Sequence, residues 1–89
     1  MLNHELKARI ESGIPSSECF VNEFSGGSDH YAVIVVSDAF DGKALLLRHR
    51  MIMDLFKEEM HTGEVHALTI KAFTQLQWKT EKINFVKKE

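Results

Sequence analysis

The stretch HYAVIVVSDAFDGKALLLRHR, residues 30–50, organises the chain. Tyr31 to Val36 is an unbroken apolar run, about as long as one strand and dominated by β-branched residues. A strand of this kind is expected to be covered on both faces. Ser37 to Gly42 reads as a turn, and from Lys43 the sequence takes up a helical period that carries Arg48-His49-Arg50. A buried central strand feeding a helix needs a covering layer and partner strands. The flanking sequence supplies both.

Upstream, Leu2, Leu6 and Ile10 recur at i, i+4 and i+8, one stripe of a short helix capped by Asn3. Ser12-Gly13 followed by Pro15 ends it. Cys19 to Phe24 is a strand rich in Phe and Val, and the turn Ser25-Gly26-Gly27-Ser28-Asp29 joins it to the central run as an antiparallel hairpin. Downstream, one helix is expected over Lys43 to Met60. Its inward stripe would be Leu45, His49, Ile52, Phe56 and Met60, broadened by Leu46, Met53 and Leu55. Thr62-Gly63 stops it, and Val65 to Ala72 forms a third strand. Thr74 and Gln77 have capping-box spacing for a last helix holding Trp78. The order is α-β-β-α-β-α, an α+β fold with a three-stranded mixed sheet and the helices packed on one face. The domain spans residues 1–80, and residues 81–89 form a C-terminal tail that ends in the solvated Lys87-Lys88-Glu89. The third strand follows a crossover helix, so it should lie parallel to the central strand and start at the same end of the sheet. That places His30 and His66 at one rim, with the Gly-Gly turn and His61 nearby.

Composition limits the function. At 89 residues the chain holds one two-layer core. Its apolar fraction of 44% and charged fraction of 27% are those of a soluble globular protein. No window approaches a membrane span, so no membrane partner is expected. Met1 to Glu5 lacks the pattern of a signal or transit peptide, which points to the cytoplasm or, by diffusion, the nucleus. A single cysteine, Cys19, excludes an internal disulfide and a self-contained cysteine metal site. The formal net charge of −2 gives no overall footprint for nucleic acid, though a local basic patch remains open. Five histidines make metal binding the chemistry to examine first.

Each candidate has an ordinary reading beside the functional one. A lone histidine at a strand start is usually structural or solvated. His66 has the parity of Leu68 and Ile70, which predicts a partly buried ring, whereas His30 stands at the mouth of a Gly-rich loop. As a pair at one rim, His30 and His66 become metal-ligand candidates. Two ligands are too few for a closed zinc site, which takes four, and suit a metal completed by a partner. His49 on the inward stripe reads as a buried histidine with a satisfied hydrogen bond. Arg48 and Arg50 flank it on other faces and, with Lys43, are candidate contacts for phosphate or a protein partner; solvated arginines are the commoner case. Cys19 reads as an inert, half-buried thiol because no basic neighbour is apparent to lower its pKa. Met51, Met53 and Met60 read as core or groove filling. There is no P-loop, Rossmann fingerprint, HExxH or GxSxG, and nothing sets a base beside a serine, so no enzyme is expected.

VVSDAFDGKALLLRHRMI followed by EVHALTIKAFTQLQW closely resembles the BolA-like family, and the similarity runs from Leu2 to Trp78. It rests on Ser37, Phe40-Asp41-Gly42, Arg48-His49-Arg50 and Val65-His66-Ala67-Leu68, in order and at family spacing. The resemblance implies a fold similar to class II K-homology domains and a partner: members bind monothiol, CGFS-type glutaredoxins and share a bridging 2Fe-2S cluster in iron trafficking and iron-dependent regulation. It assigns His66, at the VHAL position, as the cluster ligand. The family's second ligand, Cys or His, usually comes from the loop between the first two strands. Here Ser25 to Asp29 holds neither, so the role passes to His30, with Asp29 or water as alternatives. The glutaredoxin cysteine and glutathione would complete the cluster, and none is expected in the isolated, monomeric chain. The alternative is a K-homology-like nucleic-acid-binding transcriptional regulator. Against it, K-homology domains clamp backbone through a GXXG loop, and Gly26-Gly27 lies in a different connection.

Overall fold

The protein is described from a computed structural model that covers residues 2–23 and 30–86. The elements run α1 (Asn3–Gly13), β1 (Glu18–Glu23), β2 (His30–Val36), a 3-10 turn (Asp38–Phe40), α2 (Leu45–Met53), a second 3-10 turn (Asp54–Phe56), α3 (Lys57–Thr62), β3 (Ala67–Phe73) and α4 (Gln75–Val86). The sheet order is β1-β2-β3, with β2 central. β1 pairs antiparallel to β2, Cys19 opposite Val35, and β3 pairs parallel to it, Val33 opposite Ile70. The expected mixed sheet and its parallel crossover are both present.

Alternation along β2 decides the core. Tyr31, Val33 and Val35 are buried together with Cys19 of β1 and Ile70 and Ala72 of β3, whereas Ala32 and Ile34 on the other face are half-buried. Leu6 and Ile10 of α1, Ile52 of α2 and Phe56 close the first face. α4 departs from this one-sided arrangement. Its Trp78 ring stacks on Phe20 and Phe73, each at 5.6 Å between centroids. The strand register sets those two rings beside Ile34 and Val36, on the opposite face from Val33.

Several boundaries move. Leu2 rather than Asn3 is the N-cap of α1, and its N–H is met by Glu5 Oε1 at 2.9 Å. The main helix is broken: residues 54–56 tighten into a 3-10 turn between α2 and α3. Arg48, Ile52 and Phe56 point inward, Leu45 and Leu46 are 64% and 65% exposed, and His49 is half-buried rather than in the core. Met51, Met53 and Met60 pack against the core as expected. The terminal helix reaches Val86, so residues 81–86 of the expected tail are helical.

The turn after β2 has a structural job. Ser37 is buried; its Oγ donates to the Pro15 carbonyl at 2.6 Å and accepts from Ala39 N–H at 3.0 Å, while its own N–H bonds the Phe73 carbonyl at 2.9 Å. Asp38 Oδ1 then accepts from Gln75 N–H, at the start of α4. Phe40 fills the core beneath the Arg48 guanidinium. Gly13 is tight for another reason: a Cβ there would come within 2.6 Å of a Leu55 methyl.

Candidate functional site

Two chain segments meet at the rim where β2 and β3 begin. Gly63 takes the left-handed conformation (φ 88°) that ends α3, a geometry glycine adopts without steric cost. Val65 then plugs into the core, and its N–H reaches back to the Glu59 carbonyl at 3.1 Å. His66 follows, with an exposed side chain. Its parity with Leu68 and Ile70 predicts the reverse. The correction has a plain cause: pairing starts at Ala67, so the alternation that buries Leu68, Ile70 and Ala72 does not extend to residue 66, and Val65 takes the inward position.

His30 is the first residue of β2, and its register partner in β3 is Ala67. His66 therefore immediately precedes the residue that faces His30 across strands about 4.8 Å apart. The two positions share a rim, as the topology predicts. Asp29 and the Gly-rich turn lie outside the described residues. His61 is exposed near the end of α3, four residues before Val65.

Cys19 is excluded from this rim. It lies opposite Val35, toward the other end of the sheet, and is completely buried. Burial pushes its thiol up to about 12; the nearby Lys7 ammonium opposes the shift, and Glu11 adds to it. A thiol held protonated in this way is neither nucleophile nor ligand at neutral pH. Among the described residues, no three His, Cys, Asp or Glu side chains converge on a metal position. Among the described residues the rim offers imidazole donors, one exposed ring beside a second histidine position. An imidazole could serve as part of an iron–sulfur coordination sphere, whose other ligands would have to come from elsewhere.

The basic candidates separate. Arg50 is exposed and Lys43 half-buried, but Arg48 is only 7% exposed and bonds within the domain. Its Nε donates to the Lys43 carbonyl at 2.8 Å, and its Nη1 donates to the Ala72 carbonyl at 3.1 Å and to Gln77 Oε1 at 2.9 Å. Arg48 is therefore not one of a pair of solvated arginines beside Arg50. Sequence reasoning missed this because the only clue, Gln77, is 29 residues away and already has a capping role.

Comparison with known proteins agrees with this architecture. The family model described as BolA-like protein matches residues 3–77. The chain is 39% identical over 75 residues to BolA-like protein 2 of Saccharomyces cerevisiae, covering 82% of this chain and 61% of the yeast protein. It is 43% identical over 54 residues to the DNA-binding transcriptional regulator BolA of Escherichia coli, covering 61% of this chain and 50% of that protein. It thus spans about half to three-fifths of these two relatives. The solution structure of the BolA1 protein from Mus musculus superimposes with a TM-score of 0.74 at 33% identity, covering 89% of this chain and 69% of the mouse chain. The order of elements, the mixed sheet and these matches together place the chain in the BolA-like protein family.

Proposed function

We propose that this chain is a non-catalytic adaptor that pairs with a monothiol, CGFS-type glutaredoxin. In this reading His66, with His30 as the second ligand, contributes to a 2Fe-2S cluster shared between the two proteins. The observation that carries the reading is the placement of His66: an exposed ring on a backbone anchored by Val65, one residue from the register partner of His30. Cluster iron is ordinarily held by thiolates, and the one thiol of this chain is shut in the core. The remaining ligands then come with the partner, as the glutaredoxin cysteine and glutathione. Substitution of imidazole for thiolate raises a cluster's reduction potential. Val65 and the β2–β3 pairing hold the two histidine positions at a fixed spacing, and the His66 side chain is exposed.

Co-expression with a monothiol glutaredoxin tests this. The complex is expected to purify with iron and a visible charge-transfer spectrum that changes in His66→Ala. An identical spectrum in the variant removes His66 from the ligand set. A stable complex without iron reduces the adaptor to a protein that only docks.

A second reading, nucleic-acid binding, is favoured by the name of the Escherichia coli relative. With Arg48 buried, it rests on Arg50 and Lys43 in a chain of net charge −2. A DNA titration at several salt concentrations tests it, because phosphate contacts impose a steep negative slope of log K against log salt.

A further inference from the structure

At the other end of β3, roughly 20 Å along the strand from His66, a second surface carries a chemistry that the rim does not use. Leu45, Arg48, Phe73, Leu76, Gln77 and Glu81 border a groove of ≈ 410 Å³ between the start of α2 and α4. Arg48 is the unusual member. It is 7% exposed, and every hydrogen-bond acceptor it meets is neutral: two backbone carbonyls and an amide oxygen. The Phe40 ring beneath it is neutral as well. The ion pairs Lys7–Glu11, Arg9–Glu59 and Lys57–Asp54 all lie elsewhere, and none involves Arg48. A guanidinium taken out of water ordinarily has a carboxylate or phosphate beside it, because neutral dipoles replace its hydration only in part. Its Nη2 makes no hydrogen bond to a described residue, yet no fully buried polar side-chain atom there lacks a partner. That nitrogen therefore keeps some contact with solvent, and Arg48 lines the groove.

The border around this cation is apolar. Leu45 and Leu76 are 64% and 75% exposed and face the groove from α2 and α4. Two exposed leucines on either side of one groove form an apolar border suited to contact. We propose that the groove binds a partner protein through a segment that sets one carboxylate between apolar side chains. The carboxylate pairs with Arg48, and the apolar residues cover Leu45, Phe73 and Leu76. A small free anion would leave the leucines wet. A nucleic acid would gain nothing from them. This surface is independent of the cluster reading, since it lies at the opposite end of β3.

The test uses the whole ¹⁵N-labelled chain titrated with the peptide acetyl-Ser-Leu-Glu-Leu-Ser-amide and with its Gln counterpart. The Glu peptide should shift the Arg48 Nε–H and the amides of residues 45, 73 and 76, and the Gln peptide should bind about tenfold more weakly. Leu76→Ser, at an exposed position, should weaken the Glu peptide. Gln77→Glu should weaken it too, by giving Arg48 a carboxylate from within the chain while keeping the capping-box pattern. Equal affinity for the two peptides, no saturable shift, or shifts confined to the His66 rim would overturn the proposal. So would a concentration-dependent dimer abolished by Leu76→Ser, which assigns the surface to self-association, or an oligonucleotide that moves the same signals where the peptide does not.

Discussion

Gln77 Oε1 accepts from Arg48 Nη1 and from the Thr74 N–H, each at 2.9 Å, so one side-chain oxygen both caps α4 and holds the buried cation of α2. Gln77 N–H completes the capping box on Thr74 Oγ1 at 3.2 Å. The two helices that border the groove are coupled through this single amide.

That coupling predicts the effect of Gln77→Ala. The variant loses half of a capping box and leaves a buried guanidinium one acceptor short. The expected cost is about 1–3 kcal/mol. Gln77→Glu should retain most of the stability, since it keeps the cap and adds an ion pair to Arg48. Urea unfolding of the two variants decides, and equal destabilisation would show that the amide's link to Arg48 has no energetic weight.

His66→Ala should leave folding stability within about 0.5 kcal/mol of the parent, as expected for an exposed residue outside the core. It should nonetheless change the spectrum and iron content of the glutaredoxin complex. A large drop in melting temperature together with the lost spectrum would mean that the residue supports the fold, and the spectral result would then carry no information on ligation.

Cys19 provides a pH prediction. Its thiol rises from the ordinary value of 9.0 to about 12, chiefly through burial. The native state therefore holds this proton more tightly than the unfolded chain does. The associated stability is complete below pH 9 and is lost as pH rises from there toward 12. Cys19→Ala should flatten this alkaline limb. In the parent, iodoacetamide at pH 8 should label the thiol slowly in the native protein and rapidly in denaturant; fast native labelling would show that the core opens there.

Glu11 sets the opposite sign. Its carboxylate accepts from Lys7 Nζ at 2.7 Å and from the Cys19 N–H at 2.9 Å, which ties α1 to the edge strand β1. The Lys7 hydrogen bond first, and the backbone N–H second, hold its carboxyl below the usual range. Stability from this contact is present above the ordinary carboxylate pKa, about 4.3, and fades as pH falls through the lowered value. Glu11→Gln should cost no more than about 1 kcal/mol at neutral pH, because the pair is partly exposed. It should also shallow the acid limb of unfolding. Glu59, lowered by its hydrogen bond from Arg9, will leave part of that limb in place.

Local patterns carried much of the architecture. The run Tyr31 to Val36, the stripe Leu6 and Ile10, and the Thr74–Gln77 spacing each depend on neighbours close in sequence, and each has its structural counterpart. The crossover between the second and third strands confines His30 and His66 to one rim on topology alone, since handedness and parallel pairing leave few other arrangements. Three-dimensional packing decided the rest. His66 turned outward because strand pairing began at Ala67, two residues later than the expected start at Val65. Arg48 took an inward place on α2 because three acceptors, from Lys43, Ala72 and Gln77, converged on its fork, while Leu45 in the first turn of the helix stayed exposed. A hydrophobic stripe records which residues prefer to leave water. It does not record acceptors brought in from distant segments, and in this protein those acceptors put a cation inside and leucines outside.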